Sequence, residues 1–244
     1  MLNILVPLAG ESAFFENSNY IFPKPLAEVR GKPMIQGVIE DLGNIEAEKR
    51  YVFIVNGSDC KQYHLDSVLK LLAGECSVQV RIDKQTAGAA CSSLLAIDYI
   101  NNDDALIISN ADQCFDQNLN DYITRFQNRN LDAGVICFES VHPRWSYVAT
   151  DKNGLVIEAS EKRPISRDAV AGIFYFKHGR YFVDAAMKSI TKGASVDGKF
   201  YIAPVLNELI LDSKKIGIEH IDNNDYHTFY SPQMLEDYNN KVHR

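Results

Sequence analysis

The feature that most constrains the fold is a series of short strand-like segments separated by stretches with helical spacing. Leu2 to Leu8, Tyr51 to Val55 and Ala105 to Asn110 are mostly apolar runs of strand length. Ser77 to Ile82 alternates apolar and polar residues and reads as a further strand. Between them, Pro33 to Leu42 carries apolar residues at 34, 35, 38, 39 and 42, one face of a helix entered through a proline. Ser58 or Asp59 is placed to cap a second helix reaching about Leu72. Thr86 to Ala90 opens a third, running to about Ile100, and Asn118 to Asn128 reads as a fourth before a strand from Asp132 to Phe138. Alternation at this spacing predicts βαβ units, hence a mostly parallel sheet covered on both faces. Ligands in such sheets sit at the C-terminal ends of the strands. The Gly10 turn, Gly88 and Asp112 all fall at that edge.

After about residue 140 the pattern changes. Ser146 to Thr150, Leu155 to Ala159 and Ala169 to Phe176 are strand-like, with Asp151 to Gly154 as a hairpin turn. Phe182 to Ile190 and Ala203 to Leu211 are helical, Lys215 to Ile221 is a last strand, and Ser231 caps a C-terminal helix. The expectation is a single unit over 1–244, with a nucleotide-binding part (1–140) and an acceptor-binding part (141–244) containing a small antiparallel insertion.

Composition narrows the function. Net charge is −7 with a pI near 5.4, and no basic stripe appears, which argues against a nucleic-acid binder. No apolar run approaches a membrane span and the N-terminus carries no leader pattern, so a cytoplasmic protein is expected. The five cysteines lack Cys-x-x-Cys spacing and read as reduced thiols. The histidines lack metal spacing, and the serine-hydrolase, P-loop and zincin patterns are missing.

Several residues could carry chemistry. Lys24 is held between two prolines after the Gly10 turn. Asp112 lies just beyond an apolar strand, where a carboxylate can hold a divalent cation or simply terminate a turn. Glu161 and Lys162 are adjacent and so point to opposite faces of a strand. Thr86 to Ala90 offers small residues at a helix start, suited to close ligand approach or to packing.

Taken in order, these stretches resemble the nucleotidylyltransferases that join a nucleoside triphosphate to a phosphorylated sugar or small alcohol. That family includes glucose-1-phosphate thymidylyl- and uridylyltransferases and the phosphocholine cytidylyltransferases of bacterial surface-polymer pathways. Leu5 to Gly10 is similar to the family's first strand and nucleotide loop. Phe22-Pro23-Lys24-Pro25-Leu26 resembles its Pro-Lys-x-Leu, and Gly31-Lys32-Pro33-Met34-Ile35 its Gly-Lys-Pro-Met/Leu-Ile. Gln85 to Ala90 resembles the base-side segment, and Asn110-Ala111-Asp112 the metal-aspartate motif. Asp151 to Gly154 with Glu161-Lys162, and Ala171 to Phe176, resemble the later motifs Asp-x-x-Gly…Glu-Lys-Pro and Gly-Ile-Tyr-x-Phe.

The resemblance implies a Rossmann-like α/β sheet of the glycosyltransferase-A type. It implies an enzyme in which an acceptor phosphate attacks the α-phosphorus of the nucleotide, CTP being weakly favoured, and pyrophosphate leaves. It implies Lys24, Lys162 and Asp112 as catalytic residues and Leu8, Ala9, Gly10, Gln85 and Gly88 around the nucleotide. Glu161, Gly172 and Tyr147 would lie around the acceptor. Mg²⁺ would sit on Asp112, with Asp225 as the nearest further carboxylate. A homo-oligomer is left open.

Three departures stand out. In the loop, Ser12 and Phe14 stand where the family has its second glycine and its arginine, and Glu11 adds a negative charge. Losing one charge-assisted phosphate contact costs about 1.5–3 kcal/mol. Thr228 takes the place of a further metal aspartate, and Trp145-Ser146-Tyr147 replaces a glycine-rich contact. The altered loop keeps two alternatives in play: a glycosyltransferase using a nucleotide sugar, and a binding protein on the same fold without catalysis.

Overall fold

The computed structural model describes residues 1–10 and 21–241. The loop positions Glu11, Ser12 and Phe14 therefore lie outside the described residues. The chain begins with β1 (Leu2–Pro7), a single 3-10 turn at Lys24–Leu26, the two-residue strands β2 (Glu28–Val29) and β3 (Lys32–Pro33), and α1 (Met34–Gly43). Then come β4 (Lys49–Asn56), α2 (Gly57–Tyr63), α3 (Leu65–Ala73) and β5 (Val78–Ile82). Next are α4 (Ala89–Leu94), α5 (Ile97–Ile100), β6 (Ala105–Ser109), β7 (Gln113–Phe115), α6 (Leu119–Asn128) and β8 (Ala133–Glu139). The second part holds β9 (Ser146–Thr150), β10 (Val156–Glu161), β11 (Asp168–Phe176), α7 (Gly179–Thr191), α8 (Ile202–Leu211), β12 (Ile216–His220), β13 (Tyr226–Thr228) and α9 (Pro232–Asn240).

One sheet runs through both parts. Its strands lie in the order β5-β4-β1-β6-β11-β8-β12, and β9 and β10 extend from the N-terminal half of β11. β5, β4, β1 and β6 are parallel, β11 runs antiparallel to β6 and β8, and β12 returns parallel to β8. Along that seven-strand run only β11 is reversed, so the mixed α/β sheet is mostly parallel. The runs are mostly apolar because both faces are covered, with Asn3 and Ser109 the buried polar exceptions in β1 and β6. Ile4, Val6, Phe53, Val55 and Ile107 face one core, shared with α1, α3 and α6. Leu5, Val52, Ile54, Leu106 and Ile108 face the other, shared with α7 and α8. Each such side chain contributes roughly 1.5–3 kcal/mol by leaving water.

Three local features differ from the expectations drawn from the sequence. The helix expected from Ser58 to Leu72 is two helices, because His64 turns into the left-handed region at φ 54° and ends the first. Asn56, not Ser58 or Asp59, caps it, accepting from the Ser58 N–H at 3.0 Å. The helix expected from Thr86 starts at Ala89 and breaks around Leu95–Ala96 before the single turn of α5.

Candidate functional site

β1 has β4 on one side and β6 on the other. The chain leaves β1 toward β4 and β5, then crosses back to β6. The C-terminal ends of β1 and β6 therefore flank a topological switch point, where open α/β sheets bind ligands. Leu8, Ala9 and Gly10 leave one strand there, and Asn110, Ala111 and Asp112 leave the other. The Leu8 and Ala9 side chains are buried, so this segment can offer a ligand its backbone, and Gly10 is exposed.

Lys24 reaches this edge from the 3-10 turn. Its Nζ lies 2.5 Å from Asp112 Oδ2, and both side chains are largely covered, at 15% and 25% exposure. The Asp112 backbone is fixed from the far end of the chain: its carbonyl accepts the Phe229 N–H at 2.7 Å. Phe229 follows β13, which pairs antiparallel with β7 so that Thr228 lies opposite Gln113.

β11 closes the neighbouring side. It bulges between Val170 and Phe174, and Gly172 sits at φ 65° inside the bulge. The Gly172 carbonyl accepts the Asn110 N–H at 2.9 Å and the Gln113 side-chain amide at 3.3 Å. A Cβ on Gly172 would lie 2.4 Å from Asn110 Nδ2, and its positive φ strains any other residue, so this crossing favours glycine. Gly88, at φ 119°, is a second close approach: Phe200 pairs with the backbone of Ala87 and Ala90 around it. Gln85 is exposed just ahead of that segment.

The acceptor-side residues come from the β9–β10 hairpin. Ser146 stands opposite Glu161 and donates its hydroxyl to Glu161 Oε2. Glu161 is buried, which pushes its carboxyl above the usual carboxylate range while the Ser146 hydrogen bond pulls it back. Lys162, just past the strand at φ 55°, is exposed. Its Nζ lies 3.0 Å from Asp197 Oδ2, and the Tyr201 hydroxyl and Asp197 together hold the ammonium above its ordinary range. The Lys162 N–H donates to the Trp145 carbonyl at 3.0 Å.

Tyr147, expected at the acceptor, and Asp225, expected at the metal, are placed elsewhere. Tyr147 is fully buried in the core, and its hydroxyl donates to the His142 carbonyl at 2.7 Å. Alternation along β9 sends Ser146 to Glu161 and Tyr147 to the opposite face. Asp225 sits at the far end of the β7–β13 ribbon, beside Asp116, where its carboxylate accepts from Gln117 at 2.7 Å. At 3.3 Å per residue that is on the order of 13 Å along the ribbon from Asp112. Ser146, Gln113 and Phe229 support the site and were not singled out from sequence. The hairpin turn was a partial signal for Ser146.

Among the described residues no group of three His, Cys, Asp or Glu side chains forms a metal cluster. The donor set nonetheless fits a magnesium ion that arrives with a triphosphate, since Mg²⁺ often takes one or two protein carboxylates and fills its shell with phosphate and water. Asp112 is one carboxylate at this edge. Among the described residues no helix is long and apolar enough to cross a membrane.

Comparisons with known proteins bear on the family and the fold. The family model described as nucleotidyl transferase matches residues 20–209. No curated protein matches the chain. Among solved structures, a nucleoside-diphosphate-sugar pyrophosphorylase from Vibrio cholerae RC9 superposes with a TM-score of 0.83 at 20% identity, over 97% of this chain and 99% of that one. A putative glucose-1-phosphate thymidylyltransferase from Bacillus anthracis, in complex with a sucrose, gives 0.73 at 18% identity, over 98% of this chain and 94% of that one. The inositol-1-phosphate CTP transferase from T. maritima gives 0.74 at 14% identity, over 99% and 98%. At these identities the superpositions show a shared fold, and the family model shows more: this chain belongs to the nucleotidyl transferase family.

Proposed function

We propose that the chain transfers a nucleoside monophosphate from a nucleoside triphosphate to a phosphorylated sugar or small phospho-alcohol. Residues 1–140 would hold the nucleotide and 141–244 the acceptor. An acceptor phosphate oxygen forms a bond to the α-phosphorus, the bond to the bridging oxygen of the leaving pyrophosphate breaks, and pyrophosphate departs. The observation that carries this reading is the Lys24–Asp112 pair at the switch point, with Glu161 and Lys162 brought to the same sheet edge by the hairpin.

The protein's part is positioning and neutralisation of charge. Lys24, held beside Asp112, meets the phosphates as they arrive. Asp112 would hold Mg²⁺, which when bound supplies neutralisation of the triphosphate. Lys162 exchanges Asp197 for the acceptor phosphate. Glu161, oriented by Ser146, accepts hydroxyls of the acceptor. Leu8, Ala9 and Gly10 contribute backbone groups, and Gln85 and Gly88 line the base side. CTP is the favoured nucleotide and surface-polysaccharide synthesis in the cytoplasm the favoured setting.

The test is pyrophosphate release by the purified chain with each of four nucleoside triphosphates, Mg²⁺, and a panel of sugar phosphates and phospho-alcohols. Release that depends on both substrates, strongest with CTP, is expected. No release with any combination ends the proposal.

A further inference from the structure

The two lysines of the candidate site each already rest on a carboxylate, Lys24 on Asp112 and Lys162 on Asp197. A third cation nearby does not. Arg144 comes just before β9, two residues from the Ser146 that orients Glu161. Its guanidinium carbon lies 5.3 Å from the ring centre of Trp145 and 5.7 Å from that of Tyr230. Nε donates to His142 Nδ1 at 3.2 Å, and Nη1 approaches the Met234 sulfur at 3.9 Å. Among the described residues it has no carboxylate partner. A half-covered guanidinium carries five N–H donors, and these neighbours leave several unanswered.

The two rings tie Arg144 to both sides of the site. Trp145 supplies the carbonyl that fixes the Lys162 backbone. Tyr230 follows Phe229, whose N–H holds the Asp112 carbonyl. The rings also meet edge to face, with centres 6.3 Å apart, so the contact spans the gap between the Asp112 side and the Glu161 side. A guanidinium stacked on aromatic faces is already oriented and loses little freedom when it binds a planar or tetrahedral anion. Glu161, a buried carboxylate, is suited to hydroxyls and opposes an anion next to itself. Arg144, two residues from the Ser146 that holds Glu161, brings the complementary charge to the same hairpin.

We infer that Arg144, clamped between Trp145 and Tyr230, is a specificity-determining residue that selects acceptors carrying a second anionic group besides the reacting phosphate. This rests on the nucleotidyl transfer proposed above. The second group is a carboxylate or a phosphate, and the guanidinium binds either in a two-pronged arrangement.

Titration calorimetry on the full chain, with Mg²⁺ and α,β-methylene-CTP present, tests it. The probes are glucose 1-phosphate, glucuronic acid 1-phosphate and glucose 1,6-bisphosphate. The doubly anionic probes should bind at least tenfold more tightly than glucose 1-phosphate, and the one that gains more identifies the group. In Arg144→Gln the ratio should collapse toward one, and Arg144→Lys should restore only part of it, because a point charge replaces a fork. Equal binding of the three probes, a preference that survives in Arg144→Gln, or no binding of any probe overturns the inference. The proposed reaction fails separately: a binding preference for the doubly anionic probes with no pyrophosphate released from any nucleotide would leave the anion site standing and remove the transfer.

Discussion

The two lysine–carboxylate pairs of the candidate site are built to opposite specifications. Lys24 and Asp112 come from positions far apart in the chain, meet at 2.5 Å, and are mostly covered. The backbone of Asp112 is pinned by Phe229, and the next residue, Gln113, is buried against the Gly172 bulge. Lys162 and Asp197 are 40% and 72% exposed and meet at 3.0 Å above the hairpin. On that side the fixed group is Glu161, buried and held by Ser146. The side proposed for the nucleotide thus has a covered ion pair, and the side proposed for the acceptor a fixed carboxylate beneath an adaptable cation. In the proposed reaction this suits one invariant partner, a triphosphate, and one acceptor to be selected.

The largest effect should come from the fixed pair. Asp112→Asn keeps the shape but removes the charge paired with Lys24 and the carboxylate expected to hold Mg²⁺. Turnover should fall roughly 10²–10³-fold, as when one preorganised charge contact is lost. Steady-state pyrophosphate release measures it, and a loss under tenfold would show that Asp112 is a turn residue and the pair structural.

Next in size are two glycines, one on each side. A Cβ on Gly88 would lie 2.4 Å from the Phe200 carbonyl oxygen and 2.6 Å from its nitrogen, backbone atoms that cannot step aside. A Cβ on Gly172 would meet the Asn110 and Gln113 side chains, which can rotate. Gly88→Ala should destabilise by roughly 3 kcal/mol or more, through strain added to collision, and Gly172→Ala by about 2 kcal/mol. Urea midpoints compare them. Equal costs would mean that the buried amide network around the bulge is as stiff as backbone.

The fold class was legible because strand runs packed on both faces must be almost wholly apolar, as Tyr51–Val55 is and as Leu2–Val6 is apart from the buried Asn3. The position of Asp112 was legible for a related reason: a strand end at a sheet edge has one place to go, whereas Lys24, on the 3-10 turn, was marked by its flanking prolines. What escaped was set by contacts remote in sequence. The three-residue strands β7 and β13 are too short to show a period, yet they fix the register around Asp112. A break at His64 carries no glycine or proline to announce it. The partner of Glu161 escaped through one irregularity. The hairpin shifts register between Val156 and Glu158, so counting outward from the Thr150–Val156 pair sets Glu161 against Trp145, whereas the shifted register sets it against Ser146. A slip of one residue exchanges the faces. Tyr147 is the other side of the same alternation, turned into the core.

A smaller effect is expected below the fixed pair. Asp41 on α1 accepts the Phe115 N–H at 3.0 Å, and burial raises its carboxyl from 3.8 to about 6. The sign follows from the direction of the shift. Between those values the folded chain binds more protons than the unfolded one, so ionised Asp41 costs stability as pH rises through the window, and the cost is complete above about 6. A shift of this size corresponds to about 3 kcal/mol at most. Asp41→Asn keeps an acceptor for Phe115 and removes the charge. It should gain about 1–3 kcal/mol at neutral pH, with the gain vanishing near the unfolded carboxyl value. A gain independent of pH would mean that the penalty is not one of ionisation.

The smallest stability effect belongs to Lys162, where the contrast between the two sides is sharpest. An exposed ion pair contributes about 0.2–1 kcal/mol, since water screens it and both side chains lose freedom in forming it. Lys162→Ala should therefore shift the urea midpoint by less than ~1 kcal/mol, while the acceptor KM rises roughly tenfold through loss of one charge-assisted contact. Lys24→Ala should do more to stability, because it strands Asp112 in a partly covered site with its backbone already fixed. Measured side by side, the two variants test whether the sides differ in rigidity or only in position. If Lys162→Ala costs as much stability as Lys24→Ala, the acceptor-side lysine is a structural tie between the hairpin and the Asp197 segment, and its adaptability is lost as an explanation. If it costs little and raises KM for the acceptor without changing that for the nucleotide, each lysine serves the substrate on its own side of the switch point.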